Sequence, residues 1–234
     1  MPSTAPAYCR EVAFKAFRRE LPGAGQPAGL LRAATAIALH AEPENSIDAV
    51  VETIERLSAV VHRRLKSSSP EAAVAHLHDV LFDVVGFRGA EAEDYYSPGN
   101  SYLPRVLQTR RGIPITLVLV YRAVAAPLGL RVEGVNAPGH FLAALTFREA
   151  SGTHTEYVDP FHGGGLLTRD EAIARIESAI GQSIAPGVDP LPVASPTDWL
   201  RRMLLNLQAI FARSGRERDL LAMQELEALL LRHA

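Results

Sequence analysis

Two stretches in the first third of the chain place apolar residues three and four positions apart, which is the spacing of one helix face. In the first stretch these positions are Ile47, Val50, Val51, Ile54, Leu57, Val60, Val61 and Leu65. In the second they are Val74, Leu77, Leu81, Val84 and Val85. Asn45 or Ser46 can cap the first stretch, Ser69 with Pro70 can open the second, and Gly86 can end it. The pattern therefore predicts two amphipathic helices.

A more uniformly apolar segment starts at Pro114 and ends near Pro127 and Gly129. Its members leave almost no polar face, so a helix here would be buried on all sides. They are Ile115, Leu117, Val118, Leu119, Val120, Ala123, Val124 and Ala125. Three strand-like runs follow, at residues 130–135, 140–147 and 156–161, with polar turns between them. This order predicts a small antiparallel sheet packed on one buried helix.

The C-terminal third returns to helical spacing. A capping box at residues 168–171 opens a helix that runs to about Ile180. Ser195 and Pro196 open a pair of helices near 196–213 and 217–232, separated by Gly215. The pair has about the size of one helical-repeat unit, and a single unit cannot bury its own apolar face. We therefore expect a helical hairpin that packs on the rest of the chain.

These elements define an α+β fold with four consecutive parts. Residues 1–29 contain many prolines and glycines and are expected to be poorly ordered or loosely packed. Residues 30–99 form a helical N-terminal region, and residues 100–194 form the core with the buried helix and the sheet. Residues 195–234 form the C-terminal hairpin.

Charge and cysteine content exclude several classes of function. The formal net charge of −2 gives no general basic surface for nucleic acid. No apolar run is long enough to span a bilayer, and no apolar leader segment precedes the first charged residues. The single cysteine, Cys9, excludes a disulfide framework and a cysteine-based zinc site within a monomer. These features predict a cytoplasmic protein that binds neither membranes nor nucleic acids.

Two residues in the core are suited to be catalytic partners. His140 and Asp159 stand at the ends of strand-like runs, and a hairpin can bring such residues side by side. A histidine in this position can act as a base, and an aspartate can orient its ring. The start of the buried helix would be the place for a thiol, because a helix N-terminus stabilises a thiolate.

Four short motifs carry these features, in this order: Gly112-Ile113-Pro114, Leu128-Gly129-Leu130, Gly139-His140-Phe141 and Val158-Asp159-Pro160. The order resembles that of the transglutaminase-like superfamily, whose members share a papain-like Cys-His-Asp site. In that pattern Gly-x-Cys opens the helix, Leu-Gly and an apolar residue end it, His starts a strand and Asp-Pro lies on the next strand. The resemblance implies a papain/transglutaminase-like core for this chain.

Further motifs resemble one bacterial branch of that superfamily, the SirB-type proteins. They are Asn100-Ser101-Tyr102-Leu103, Arg111-Gly112-Ile113-Pro114-Ile115-Thr116, Tyr121, Pro138-Gly139-His140-Phe141-Leu142 and Asp159-Pro160-Phe161 with Gly163-Gly164. The resemblance covers residues from about 30 to the end. It implies a helical N-terminal region and tetratricopeptide-like repeats, here reduced to one hairpin.

One departure from the family pattern decides the expected function. Pro114 stands where the family has its nucleophilic cysteine, and proline has neither a nucleophile nor an ionisable group. The thiol mechanism is thereby excluded at this position, so whether the chain is an enzyme stays open, with a non-enzyme favoured. We expect a degenerate member that acts as a protein-interaction or regulatory module with an unidentified protein partner. The alternative is a hydrolase, acyl-transferase or protease-like enzyme that uses His140 and Asp159 with Thr116 or an activated water.

Each candidate residue also has a structural explanation. Thr116 could be a hydroxyl nucleophile, but a threonine in a first helical turn usually bonds to local backbone. Asn100 and Arg111, with Arg110, could rim a pocket for an anionic ligand, or Asn100 could cap residues 101–109. Pro114 could line the same pocket. Tyr121 could do so too, although a core tyrosine with a bonded hydroxyl explains it as well.

The sequence gives weaker support for two other kinds of site, one with a replacement thiol and one with a metal ion. Cys9 could replace the missing thiol only by reaching the pocket, and no histidine or glycine elbow adjoins it. His140, His154, His162 and Asp159 have side chains suited to zinc or iron, but their spacing matches no ligand signature. The sequence therefore predicts no metal and no cofactor.

Overall fold

The structure, a computed structural model, describes residues 5–67, 69–149 and 152–233. Residues 1–4 of the expected loose N-terminus, residues 150–151 of the turn between the second and third strand-like runs, and residue 234 of the hairpin lie outside this description. The fold is α+β, as predicted, with helices and a small antiparallel sheet. Within the described residues, no helix combines the length and the apolar character needed to cross a membrane.

Helices alternate with short strands along the chain. The helices are α1 (Glu11–Glu20), α2 (Pro27–Ala38), α3 (Ile47–Arg64), α4 (Pro70–His78), α5 (Leu103–Thr109), α6 (Pro114–Ala125), α7 (Arg169–Ile180), α8 (Pro196–Arg213) and α9 (Glu217–Leu231). The strands are β1 (Arg88–Gly89), β2 (Arg111–Gly112), β3 (Arg131–Val135), β4 (Leu142–Glu149), β5 (Gly152–Asp159) and β6 (Gly165–Leu167).

The chain forms two compact units, each assembled from segments that are distant in sequence. The first unit comprises the chain up to Thr53, the segment Glu91–Thr109 and the chain from Pro196 onward. The second comprises Ile54–Ala90 and Arg110–Ser195. One boundary between the units falls inside α3. Contacts between residues distant in sequence define these units, and local patterns do not report such contacts.

The N-terminal segment of the first unit is packed, in contrast to the expected looseness of residues 1–29. Helix α1 buries Ala13, Phe14, Ala16 and Phe17. Pro22, Gly23 and Gly25 lie between α1 and α2. Gly29 in α2 permits a close approach, since a Cβ there would lie 1.9 Å from the Gly23 carbonyl oxygen. Three consecutive backbone N–H groups, from residues 7–9, donate to the Glu225 carboxylate on α9. The break in the helical pattern between α1 and α2 is therefore a turn between two packed helices.

The second unit is built around α6, which is buried along almost its whole length as predicted. Helix α6 packs against β3 and β4 of the sheet. In the described residues this sheet has four strands in the order β3-β4-β5-β6, and neighbouring strands are antiparallel. Strands β3, β4 and β5 correspond to the three predicted runs. Strand β6 was not predicted, because it is short and directly follows a glycine run.

The glycine run after Asp159 forms a tight turn. Gly163 and Gly164 adopt positive φ angles of 84° and 76°. A Cβ on Gly164 would lie 1.9 Å from the ring of Phe82, so this position needs glycine for space as well as for its backbone angle. The Gly164 N–H donates to the Asp159 carbonyl oxygen at 2.8 Å. The turn thereby reverses the chain from β5 into β6 and fixes the end of β5.

Candidate functional site

The start of α6 is the position at which a catalytic nucleophile was expected. Ile113 is extended (φ −84°, ψ 163°) and Pro114 takes the first helical position, where a missing N–H costs nothing. Thr116 is fully buried, and its hydroxyl donates to the Ile113 carbonyl oxygen at 2.9 Å. The local bond expected for a first-turn threonine is therefore present. Neither residue offers an exposed nucleophile.

His140 and Asp159 lie side by side, because the start of β4 pairs with the end of β5. The His140 Nε2 atom lies 2.9 Å from the Asp159 Oδ2 atom. The two side chains are only 5% and 2% exposed. His140 and Asp159 are thus in contact, and both side chains lie in the interior of the second unit.

The Asp159 carboxylate accepts more hydrogen bonds than the sequence suggested. Its Oδ1 atom accepts the backbone N–H groups of Phe161 and His162, at 3.1 and 3.3 Å. Its Oδ2 atom also contacts the His162 Nδ1 atom at 2.7 Å. Burial by itself would raise the pKa of Asp159, but the hydrogen bonds and charges of His140 and His162 outweigh it and hold the pKa below its ordinary value. The carboxylate is therefore ionised at neutral pH.

The Phe161 ring packs against this cluster. The Phe161 ring meets the His140 ring edge-on, with centroids 6.3 Å apart. The Phe161 ring also covers Gly89, where a Cβ would lie 2.6 Å from it. The His162 side chain, in contrast, is 45% exposed. The cluster thus has a buried side formed by His140 and Asp159 and a solvent-facing side formed by His162.

Among the described residues, His140, Asp159 and His162 form a group in which one ligand atom from each residue lies within 4.8 Å of the others. His154, the fourth residue considered from the sequence, is not part of it. His154 is exposed and stacks on the Phe147 ring at the other end of β5. The sequence signal for His162 was the Asp-Pro-x-His spacing, since Pro160 opens a short 3-10 turn and residues three apart in such a turn lie above one another.

Tyr121 is a core residue. It is 1% exposed, and its hydroxyl lies 2.8 Å from the His78 Nε2 atom. Its ring stacks on Phe82. His78, which the sequence did not single out, has a pKa lowered to about 4 by burial, only partly offset by Asp83. These contacts support the interpretation of Tyr121 as a core tyrosine with a bonded hydroxyl.

Asn100 and Arg111 were considered from the sequence as pocket residues, and Cys9 as a replacement thiol. Asn100 belongs to the first unit and its side-chain amide donates to the Asp94 carbonyl oxygen at 2.7 Å. Arg111 lies in β2, opposite Arg88, and is partly exposed. Cys9 is buried in the first unit, and burial together with the Glu225 charge raises the pKa of its thiol to about 12. A thiol with this pKa is not a nucleophile at neutral pH.

A buried helix, an antiparallel sheet and a His–Asp pair on neighbouring strands define a papain-like or transglutaminase-like class of core, here without a thiol at the helix start. The comparison with protein families agrees with this class. The model described as the transglutaminase-like superfamily matches residues 48–205, which is more than half of the chain. The chain belongs to the transglutaminase-like superfamily.

Relatives of the chain occur in bacteria and in mammals. A UPF0162 protein of Xylella fastidiosa is 32% identical over 146 residues, which are 61% of this chain and 50% of that protein. A UPF0162 protein of Pseudomonas aeruginosa is 30% identical over 197 residues, 82% of this chain and 68% of that protein. F-box only protein 21 of Mus musculus is 36% identical over 141 residues, 58% of this chain and 21% of that protein.

The chain spans about half the length of the first of these curated relatives. No solved structure matches the chain.

Proposed function

We propose that this chain is a noncatalytic transglutaminase-like protein of the SirB-type branch, which acts in the cytoplasm by binding a protein partner. The observation that carries the proposal is the start of α6, where Pro114 replaces the thiol and the Thr116 hydroxyl is bonded to the Ile113 carbonyl oxygen. Acyl transfer through a covalent intermediate needs an accessible nucleophile next to a base. The helix start supplies none.

The position of His140 supports the same conclusion. Its ring is buried and its Nε2 atom is engaged by Asp159. A general base must come within hydrogen-bond reach of the proton that it removes, and a 5% exposed imidazole offers little access to a substrate or a water. The enzyme alternative with Thr116 is therefore not favoured, and the His–Asp pair acts in our proposal as part of the core.

The C-terminal hairpin supports a role in binding. Helices α8 and α9 pack on each other in the first unit and bury Trp199, Phe211 and Leu226. Two large apolar side chains of the hairpin are left on the outside, Leu205 at 42% and Leu231 at 52% exposure. Repeat-type helix pairs use such exposed faces for partners. We assign the partner-binding face to the side of α8 that carries Leu205.

One experiment tests catalysis. The full chain and a His140→Gln variant are assayed for hydrolysis and acyl transfer with glutamine amides and activated esters. We expect the same background rate for both proteins, because neither has a nucleophile. A rate well above background that falls at least tenfold in His140→Gln would show a working base and would overturn the proposal.

A second experiment tests binding. The immobilised chain captures proteins from an extract of its source cells, beside Leu205→Glu and the control Val188→Glu, which alters an exposed apolar residue of a loop in the second unit. We expect a partner that is retained by the original chain and by Val188→Glu and lost with Leu205→Glu. If no protein is retained, or if Leu205→Glu retains it equally well, the proposed face is wrong.

A further inference from the structure

We propose that His140, Asp159 and His162 bind one divalent transition-metal ion, and that zinc is the ion that fits the donor set. This inference goes beyond the proposed function and does not depend on it. It assigns to the cluster a ligand rather than a reaction. The rest of the argument rests on the positions, burial and chemistry of the three side chains.

The distances are close to those of a metal site. The His140 Nε2 and His162 Nδ1 atoms lie 2.9 and 2.7 Å from the same oxygen, Asp159 Oδ2. Ligand atoms around a tetrahedral zinc ion at about 2.0–2.1 Å are roughly 3.3 Å from one another. Separating each imidazole nitrogen from Asp159 Oδ2 by roughly half an ångström would therefore make room for the ion.

The chain holds these ligands in place before an ion arrives. The Asp159 Oδ1 atom accepts the N–H groups of Phe161 and His162, so the carboxylate presents Oδ2 to the imidazoles. The short 3-10 turn Pro160–His162 begins at Asp159, which brings His162 above it. Hydrogen bonds from the surroundings to a ligating carboxylate are the usual means of orienting a metal ligand. Two of the three ligands come from the end of β5 and the 3-10 turn that follows it, and the third comes from the segment that leads into β4.

The donor set selects the kind of ion. Two imidazoles and one carboxylate suit zinc, and the same set occurs in sites for ferrous iron. His140 and Asp159 form the buried side of the site, and the 45% exposed His162 faces solvent. An ion can therefore enter past His162 and keep water at the open coordination position. Cysteine plays no part, since the one cysteine is buried in the other unit.

The protons on the His140 and His162 rings can be accounted for when an ion binds. The ionised Asp159 carboxylate only accepts hydrogen bonds, so without metal His140 carries its proton on Nε2 and His162 carries one on Nδ1. Metal binding needs a lone pair on both of these atoms. Each neutral imidazole provides it by moving its proton to its other ring nitrogen through solvent, with no net proton uptake or release. An imidazolium would instead release one proton to solvent.

Arg175 sets an expectation for the affinity. Its Nε atom lies 3.8 Å from Asp159 Oδ2, so a positive charge already stands beside the carboxylate. A second cation at this oxygen is repelled by the guanidinium. Arg175→Gln should therefore strengthen metal binding several-fold. A network of hydrogen bonds that binds no ion would not respond in this way.

The test uses the full chain freed of metal by a chelator. Calorimetric titration with zinc chloride measures stoichiometry and affinity, and titration with cobalt chloride gives visible ligand-field bands that report nitrogen and oxygen coordination. The variants are His162→Gln, which alters a half-exposed ligand, and the matched control His154→Gln, which alters an exposed histidine outside the cluster. Circular dichroism shows that each variant is folded.

We expect one equivalent of zinc in the original chain and in His154→Gln, and an affinity at least about tenfold lower in His162→Gln. Arg175→Gln should bind more tightly than the original chain. The proposal is overturned if the folded original chain takes up no stoichiometric ion. It is equally overturned if His162→Gln binds as tightly as the original chain, or if His154→Gln loses as much affinity as His162→Gln.

Discussion

The two units each contain a histidine paired with an aspartate, and the two pairs differ in their surroundings. In the first unit His40 lies 3.0 Å from Asp219, with side-chain exposures of 6% and 27%. In the second unit His140 lies 2.9 Å from Asp159, with exposures of 5% and 2%. The contact is the same in type and length, so the difference between the pairs must come from what else each residue touches.

The pair in the first unit uses both nitrogens of its imidazole within the protein. His40 Nδ1 accepts the Arg10 backbone N–H at 3.1 Å, while Nε2 contacts Asp219. The pair borders a cavity of about 390 Å³ that Arg216 and Arg218 also line. It links the N-terminal segment to α9 and acts as a brace.

The pair in the second unit is crowded on the side of the carboxylate. Asp159 Oδ2 contacts two imidazoles, and Oδ1 holds two backbone N–H groups. The comparison teaches that a His–Asp contact by itself does not identify a catalytic pair. The number and type of groups gathered on the carboxylate distinguish a brace from a candidate ligand site.

The largest expected difference concerns the two aspartates. Asp159→Ala removes the acceptor of four hydrogen bonds and leaves polar groups buried without a partner, so we expect a loss of about 3–5 kcal/mol in unfolding free energy. Asp219→Ala removes a more exposed partner and should cost about 1 kcal/mol or less. Urea unfolding followed by circular dichroism measures both. Equal losses would mean that burial does not separate the two pairs.

A third histidine, the partly buried His78, sharpens the comparison, because its ring contacts the Tyr121 hydroxyl rather than a carboxylate. The pKa of His78 falls from 6.5 in the unfolded chain to about 4 in the folded one, since burial disfavours its charged form. Between these values the unfolded chain binds more protons, so the contribution to stability is complete above pH 6.5 and is lost as the pH falls to about 4. The full loss is about 3 kcal/mol.

The measurement is the unfolding free energy of the original chain and of His78→Gln at several pH values between neutral pH and pH 4. Glutamine keeps an amide near the Tyr121 hydroxyl but does not titrate. We expect the original chain to lose stability more steeply on acidification, with the two curves parallel above pH 6.5. Parallel curves over the whole range would contradict the lowered pKa of His78.

The glycine turn behind Asp159 gives a matched pair of substitutions that affects only the second pair. Both Gly163 and Gly164 have positive φ angles, so Gly163→Ala should cost about 1–2 kcal/mol in backbone strain alone. A Cβ at Gly164 would also collide with the Phe82 ring, which adds about 1–3 kcal/mol. Thermal unfolding measures the difference. If both variants lose the same stability, the contact with Phe82 does not constrain the turn.

Local signals explain the parts of the fold that the sequence predicted. Pro114 at the start of α6, the capping box at Thr168 and Glu171 and the apolar period of α3 each act over a few residues. The contact of His140 with Asp159 followed from the hairpin between two recognisable strands. Each of these features depends on neighbours in sequence or on one antiparallel pairing.

The parts that the sequence did not predict depend on distant contacts. The joining of the N-terminal segment to the C-terminal hairpin depends on Glu225, whose carboxylate has no local signature. Residues Asp79–Val84, which continue α4, form a π-helical turn. Their apolar residues keep the spacing of an ordinary α-helix, so the sequence did not distinguish the two. The third strand-like run was predicted to continue to residue 161, so the 3-10 turn Pro160–His162 that brings His162 above Asp159 was not predicted.

The smallest expected effects concern the arginines that flank the two aspartates. Arg175 Nε lies 3.8 Å from Asp159 Oδ2, and Arg216 Nε lies 2.7 Å from Asp219 Oδ2. Both arginine side chains are more than one third exposed, at 35% and 44%, so water and salt screen these pairs. We expect Arg175→Ala and Arg216→Ala each to lower the unfolding free energy by about 0–1 kcal/mol, and less at high salt. Urea unfolding at low and high salt measures this. A loss comparable to that of Asp159→Ala would mean that the arginine, rather than the imidazoles and backbone N–H groups, holds the buried carboxylate.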